Sequence, residues 1–259
     1  MRVPHIAFVA AFVGFCGLAS MPARAINIFP NYVNDANGTW TATEKTVVQD
    51  ALNDWGTHVL TNQSFTVNFD FVHGGIGTFL AQWHSSFSNV PNGTNLYPWT
   101  AGVSQTVDIN VDYMNSIMTN QLVFTTGSVP ATDWDAYTAI LHEMGHAMGF
   151  SANYYQDHVG LISQTDKWTS HITGTTFDPA GLNVGMNGDL QHLADSNDLM
   201  GSSLVNGERK LIGSTDLAML QMAYGYSTNA AAPSSLPEPG ILGIAAVSGL
   251  GLLRRRRCC

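Results

Sequence analysis

Residues 142–146 read His-Glu-Met-Gly-His, and no other stretch restricts what the chain can fold into as much. Histidines four apart stand one turn above another on a helix, so His142 and His146 can present ring nitrogens to one zinc ion at about 2 Å. Glu143, next to the first histidine, then lies within reach of a water on that ion. The surrounding pattern predicts such a helix. Tyr137, Ile140, Leu141, Met144 and Met148 recur along one stripe, which should face a core. We expect this helix to begin at Thr132, with Asp133 and Asp135 in a first turn that favours carboxylates, and to end at Gly149, which permits a left-handed turn. A catalytic zinc needs three protein ligands and one open position, where it lowers the pKa of water to about 7 and polarises a carbonyl. Glu143 can take the proton of that zinc-activated water and pass it to a leaving amine. The pentapeptide therefore demands a third ligand from elsewhere.

No glutamate occurs between Glu143 and Glu208, although aspartates stand at 157, 166, 178 and 189. Three histidines follow the helix, His158, His171 and His192, and residue type alone leaves all of them open. His58, His73 and His84 precede the motif and have no ligand spacing. The segment "LQHLADSNDLMGSSL" sets His192 eight residues before Met200, behind an Asn-Asp-Leu turn.

With "HEMGHAMGF", this segment resembles the metzincin zinc proteases and, within them, the leishmanolysin-like group. There the motif runs HExxHxxGF, an insertion separates the second histidine from the third, and a Leu-Met pair forms a methionine turn beneath the metal. The resemblance covers about residues 132–226. It implies His142, His146 and His192 as ligands of one catalytic Zn2+, Glu143 as catalytic base, Gly149 as the turn glycine and Met200 as the supporting methionine. It also implies a protein or peptide substrate lying in a cleft along a sheet edge. "STDLAMLQMAYGY" looks like the closing helix of such domains, with Leu217, Leu220 and Tyr224 on one face and Gly225 as its cap. Gly201 and Ser202 stand where several metzincins carry a tyrosine after the methionine. Tyr154 and Tyr155 are further candidates for contact with substrate or an oxyanion.

The preceding residues match that group only in their order of helix and strands. Thr41 and Glu44 have capping-box spacing, and Val47, Val48, Ala51, Leu52, Trp55 and Val59 follow on one helical face. "SFTVNFDFV" alternates Phe65, Val67, Phe69 and Phe71 with polar residues, and "VDINVDY" alternates Val107, Ile109, Val111 and Tyr113 with Asp108, Asn110 and Asp112. Both read as half-buried strands, the second with a solvated acidic face. The expected fold is α+β, zincin/metzincin-like: a mixed twisted sheet with the active-site helix and a smaller C-terminal subdomain.

The ends differ from the middle. Residues 1–25 combine an early arginine, an apolar run and a small-x-small ending at Ala23 and Ala25, the pattern of a secretory signal. Residues 236–259 give Pro-Glu-Pro, a short apolar run and four arginines, an order that resembles the PEP-CTERM sorting signal of Gram-negative bacteria. That resemblance implies a membrane sorting transpeptidase as partner, transient inner-membrane attachment and release to the cell surface or extracellular space. A catalytic domain over 26–228 and a spacer over 229–235 lie between. Outside these ends only Lys45, Lys167, Arg209 and Lys210 oppose 18 of the 19 acidic residues, a net charge near −14 (4 − 18), which excludes nucleic acid as a partner. The three cysteines, Cys16, Cys258 and Cys259, all fall in the ends, so packing and metal must hold the domain without disulfides. A different class, a surface or matrix protein with a structural zinc and no peptidase activity, would have no use for a base at Glu143.

Overall fold

A computed structural model describes residues 24–35, 38–73, 79–86, 97–114, 120–150, 168–169, 176–177, 192–193 and 195–229. Residues 1–23 of the expected signal (1–25), residues 230–235 of the spacer (229–235), the whole tail (236–259), and His158, His171, Tyr154 and Tyr155 lie outside the described residues. Among the described residues, no helix is long and apolar enough to cross a membrane.

The chain is α+β with a four-stranded mixed sheet. Strand β1 (Asn27–Tyr32) leads through helix α1 (Ala42–His58) and the two-residue β2 (Val59–Leu60) to β3 (Ser64–Val72). Strands β4 (Ala81–Ser86) and β5 (Ser104–Asn110) complete the order β1-β3-β5-β4. The first three are parallel, and β4 runs antiparallel to β5 at the edge. Alternation explains the pleat: Phe65, Val67 and Phe69 are buried in β3, as are Val107 and Ile109 in β5. Helix α1 starts with both halves of its capping box formed, Glu44 N donating to Thr41 Oγ1 at 3.2 Å and Thr41 N to Glu44 Oε2 at 2.6 Å. Its face Val47, Val48, Ala51, Leu52 and Trp55 is buried.

Helix α3 (Ala136–Met148) carries the pentapeptide and packs on α1 and on the sheet beside β4. Trp55 Nε1 donates to Leu141 O at 2.9 Å, and Tyr137 OH donates to Asp54 Oδ2, which gives that buried carboxylate a partner. This helix begins four residues later than its acidic first turn suggests. Trp134–Asp135 (β7) is held extended against Leu122–Val123 (β6), and Asp133 Oδ1 accepts the Gln121 amide at 3.1 Å. Asp135 becomes the N-cap, its side chain accepting from Thr138 N at 3.2 Å. Arg209 grips the same carboxylate with two hydrogen bonds, at 2.8 and 2.9 Å.

A second departure lies at the end of β5. The strand stops at Asn110, and Val111–Met114 forms one helical turn, α2, where an extended run through Tyr113 was expected. Asn110 is buried rather than solvated. Its Nδ2 donates to Phe79 O at 3.0 Å and its Oδ1 accepts the Asp112 amide at 3.1 Å, so the side chain offers the backbone an alternative to the ladder.

The closing helix, Ser214–Tyr224, buries Leu217, Leu220 and Tyr224 and ends at Gly225 with φ 70°. Beyond it, Ser227–Thr228 pairs antiparallel with β2, whose Leu60 also bridges Ala25.

Candidate metal centre

The described residues hold one group of metal-ligating side chains, His142, His146 and His192, with their candidate ligand atoms all within 4.8 Å of one another. Two come from one turn of α3, and the third arrives from a segment that folds back beneath the helix. His142 and His146 set their rings nearly perpendicular, 4.9 Å apart, and His192 lies 5.2 Å and 5.0 Å from them.

Backbone carbonyls fix the orientation of the two helical rings. His142 Nδ1 donates to Leu199 O at 2.7 Å, and His146 Nδ1 donates to Phe150 O. Each carbonyl requires the hydrogen on Nδ1, which leaves the Nε2 lone pair for a metal. The two Nε2 atoms stand 3.2 Å apart. Tetrahedral zinc with bonds of about 2.05 Å needs nitrogens about 3.3 Å apart, so this pair fits it. Burial is the largest influence that holds His146 well below the usual imidazole range, with the neighbouring His142 acting in the same direction. A neutral ring is the form that binds metal.

Met200 is wholly buried under this group. A Cβ on Gly145 would stand 2.1 Å from Met200 Sδ, so the glycine inside the pentapeptide is the groove into which the methionine fits. Leu193 N donates to Met200 O at 2.8 Å and Met200 N to Asp216 Oδ1 at 3.3 Å. The turn is thereby tied to the residue after His192 and to the closing helix. Lys210, also buried, directs its ammonium to the carbonyls of Ser196, Ser203 and Asp198, gathering that loop. Gly149 has φ 135°, and a Cβ there would meet the Tyr224 ring at 2.4 Å. The Tyr224 and Tyr226 hydroxyls donate to Gly149 O at 2.8 Å and Met148 O at 3.2 Å, clamping the helix end.

Glu143 faces a cavity of about 300 Å3 whose walls include Phe79, Leu80, Ala81, Tyr113, Trp134 and Leu204 as well as His142 and His192. Trp83 N donates to its Oε2 at 2.6 Å. Burial pushes the Glu143 carboxyl up to about 8, opposed by this hydrogen bond.

The structure thus brings His142, Glu143, His146, His192 and Met200 together, with Gly149 ending the same helix against Tyr224. His73 and His84 stand apart, beside Asp112 and Asp108, and His58 bonds Asp54 O through Nδ1. Sequence reasoning passed over Gly145, Trp83, Lys210 and Asp216. Of these only Gly145 leaves a signal, a glycine inside a helix where alanine would be favoured. No protein-family model matches the chain, and no curated protein matches it.

Proposed function

We propose that this chain is a zinc-dependent endopeptidase of the metzincin type that acts outside the cell. The observation that supports it is the meeting of three histidines with the Glu143 carboxyl at the wall of an apolar cavity. His142, His146 and His192 would hold the ion, which when bound supplies Lewis acidity toward water and a peptide carbonyl. Glu143 takes a proton on its carboxylate and delivers it to the departing amine. The cavity wall of Phe79, Leu80, Tyr113 and Trp134 suits a large apolar side chain of the substrate, and the edge of β4 suits its extended backbone. Export and surface sorting are part of the same proposal, resting on the patterns in residues 1–25 and 236–259.

A matched pair of substitutions tests this reading. Glu143→Ala should keep zinc and lose cleavage of casein or peptides, while His192→Ala should lose zinc. Full zinc and activity in His192→Ala, together with their loss in His158→Ala, would transfer the third ligand to His158. A fully zinc-loaded wild type that cleaves nothing in a broad peptide library would favour a structural zinc in a surface or matrix protein.

A further inference from the structure

The edge strand of the sheet does more than border the cavity. Asn110 N donates to Leu80 O at 3.0 Å, and the register pairs Gln82 with Asp108 and Trp83 with Val107. Backbone direction alternates along an antiparallel strand, so Leu80, Gln82 and His84 turn toward β5 while Ala81, Trp83 and Ser85 turn away. An outward amide on an edge strand ordinarily meets water or an added strand. The Trp83 amide instead meets Oε2 of Glu143 at 2.6 Å, a short N–H···O contact.

A glutamate has three rotatable side-chain bonds, and a base that must meet one particular water gains from losing that freedom beforehand. We propose that the backbone amide of Trp83 positions the general base, holding Glu143 Oε2 so that Oε1 is the oxygen presented for proton transfer. The indole secures the amide in turn. Its Nε1 donates to Gln105 Oε1 at 2.7 Å, and its ring lies 6.2 Å from that of His146, inclined by 27°. Gln105 is buried in β5, so the strand cannot slide without breaking that bond. This inference rests on the peptidase reading of the same site.

Amide and indole can be separated. Trp83→Ala removes the ring and keeps the amide, whereas Trp83→Pro removes both. Because the Trp83 amide turns away from β5, proline there costs the ladder no hydrogen bond. Hydrogen exchange of the metal-free protein reads the contact without any activity. The Trp83 amide should exchange at least about tenfold faster in Glu143→Ala, but stay slow in Glu143→Gln, whose amide oxygen still accepts. The amides of Gln82 and His84 should not change. In the zinc-loaded enzyme, Trp83→Pro should lose about ten- to a hundredfold in kcat relative to Trp83→Ala, with equal KM, zinc content and melting temperature. Unchanged Trp83 exchange in Glu143→Ala, or equal kcat in the two Trp83 variants of an active enzyme, overturns the inference and leaves the peptidase reading intact. A zinc-loaded wild type that cleaves no peptide removes both.

Discussion

Gly145→Ala sets two known effects against each other, and their sum depends on where Met200 lies. In an ordinary helix interior the change should stabilise by about 1 kcal/mol, since glycine is the poorer helix former. Here the added Cβ would stand 2.1 Å from Met200 Sδ, 3.0 Å from Cε and 3.4 Å from Cγ. Methionine is adaptable, but this one is wholly buried and its backbone is held at both ends, by Leu193 N and by Asp216. Overpacking of this kind costs about 1–3 kcal/mol, so the net expectation is a loss of about 1 kcal/mol, or about 2–4 °C in melting temperature. Displacing Met200 also moves Leu199 O away from His142 Nδ1, and loss of such support weakens metal binding by about tenfold or more. A double-mutant cycle with Met200→Ala isolates the contact. Alone, Met200→Ala should cost about 2–5 kcal/mol through the space it empties. Combined with Gly145→Ala, the overlap disappears and the new methyl fills part of that space, so the pair should cost about 3 kcal/mol less than the sum of the singles. Urea unfolding and zinc titration against a chromophoric chelator measure both quantities. A Gly145→Ala protein that is more stable by about 1 kcal/mol, with unchanged zinc affinity and no coupling to Met200, would refute the packing described.

Two further predictions concern buried charges. Burial pushes the Asp216 carboxyl up to about 7, opposed by the amides of Gly213 and Met200. The native protein then keeps a proton that the unfolded chain releases near pH 3.9, so this contribution is full below that value and lost as pH rises through about 7, by roughly 4 kcal/mol in all. Asp216→Asn should flatten the dependence of unfolding free energy on pH between 4 and 7.5, and an unchanged slope would contradict the assignment. Arg209 and Asp135 form a bidentate pair with side-chain exposures of 5% and 0%. Arg209→Ala leaves the N-cap carboxylate of the motif helix buried without that cation and should cost about 3–5 kcal/mol in chemical denaturation, whereas a loss under 1 kcal/mol would place the pair in solvent-like surroundings.

Which features were readable in advance follows from where their information resides. The buried faces of α1 and β3 are written as periodicity, because Val47, Val48, Ala51, Leu52 and Trp55 or Phe65, Val67 and Phe69 must each recur at the period of their element. Ligand chemistry limits the third partner of His142 and His146 to three histidines, and only the resemblance of the His192–Met200 segment to a known family singles out His192, which the structure sets beside them. The start of α3 could not be anticipated. Its local sequence suits a first turn from Thr132, but pairing of Trp134 with Leu122 and the grip of Arg209 on Asp135 come from distant segments. Asn110 misled because a polar residue on an alternating strand looks solvated until its own partners are known. The groups that orient the centre, Leu199 O, Phe150 O and the Trp83 amide, belong to the backbone, and at those positions any side chain except a proline at 83 offers the same group.

With its three cysteines confined to the ends, the domain has no covalent tie between α3 and the segment that brings His192. Three contacts replace it: His192 beside the paired helical rings, Leu199 O on His142, and Met200 in the groove of Gly145. The last two need no metal. They hold the returning segment under α3 while His192 is half-buried, so His192 meets a helical pair whose rings are already oriented. Tyr224 and Tyr226 then fix the far end of the same helix through Gly149 O and Met148 O, next to the carbonyl that orients His146. The closing helix, last among the described helices in the chain, is therefore placed where its loss would loosen the orientation of His146 as well as the turn at Met200.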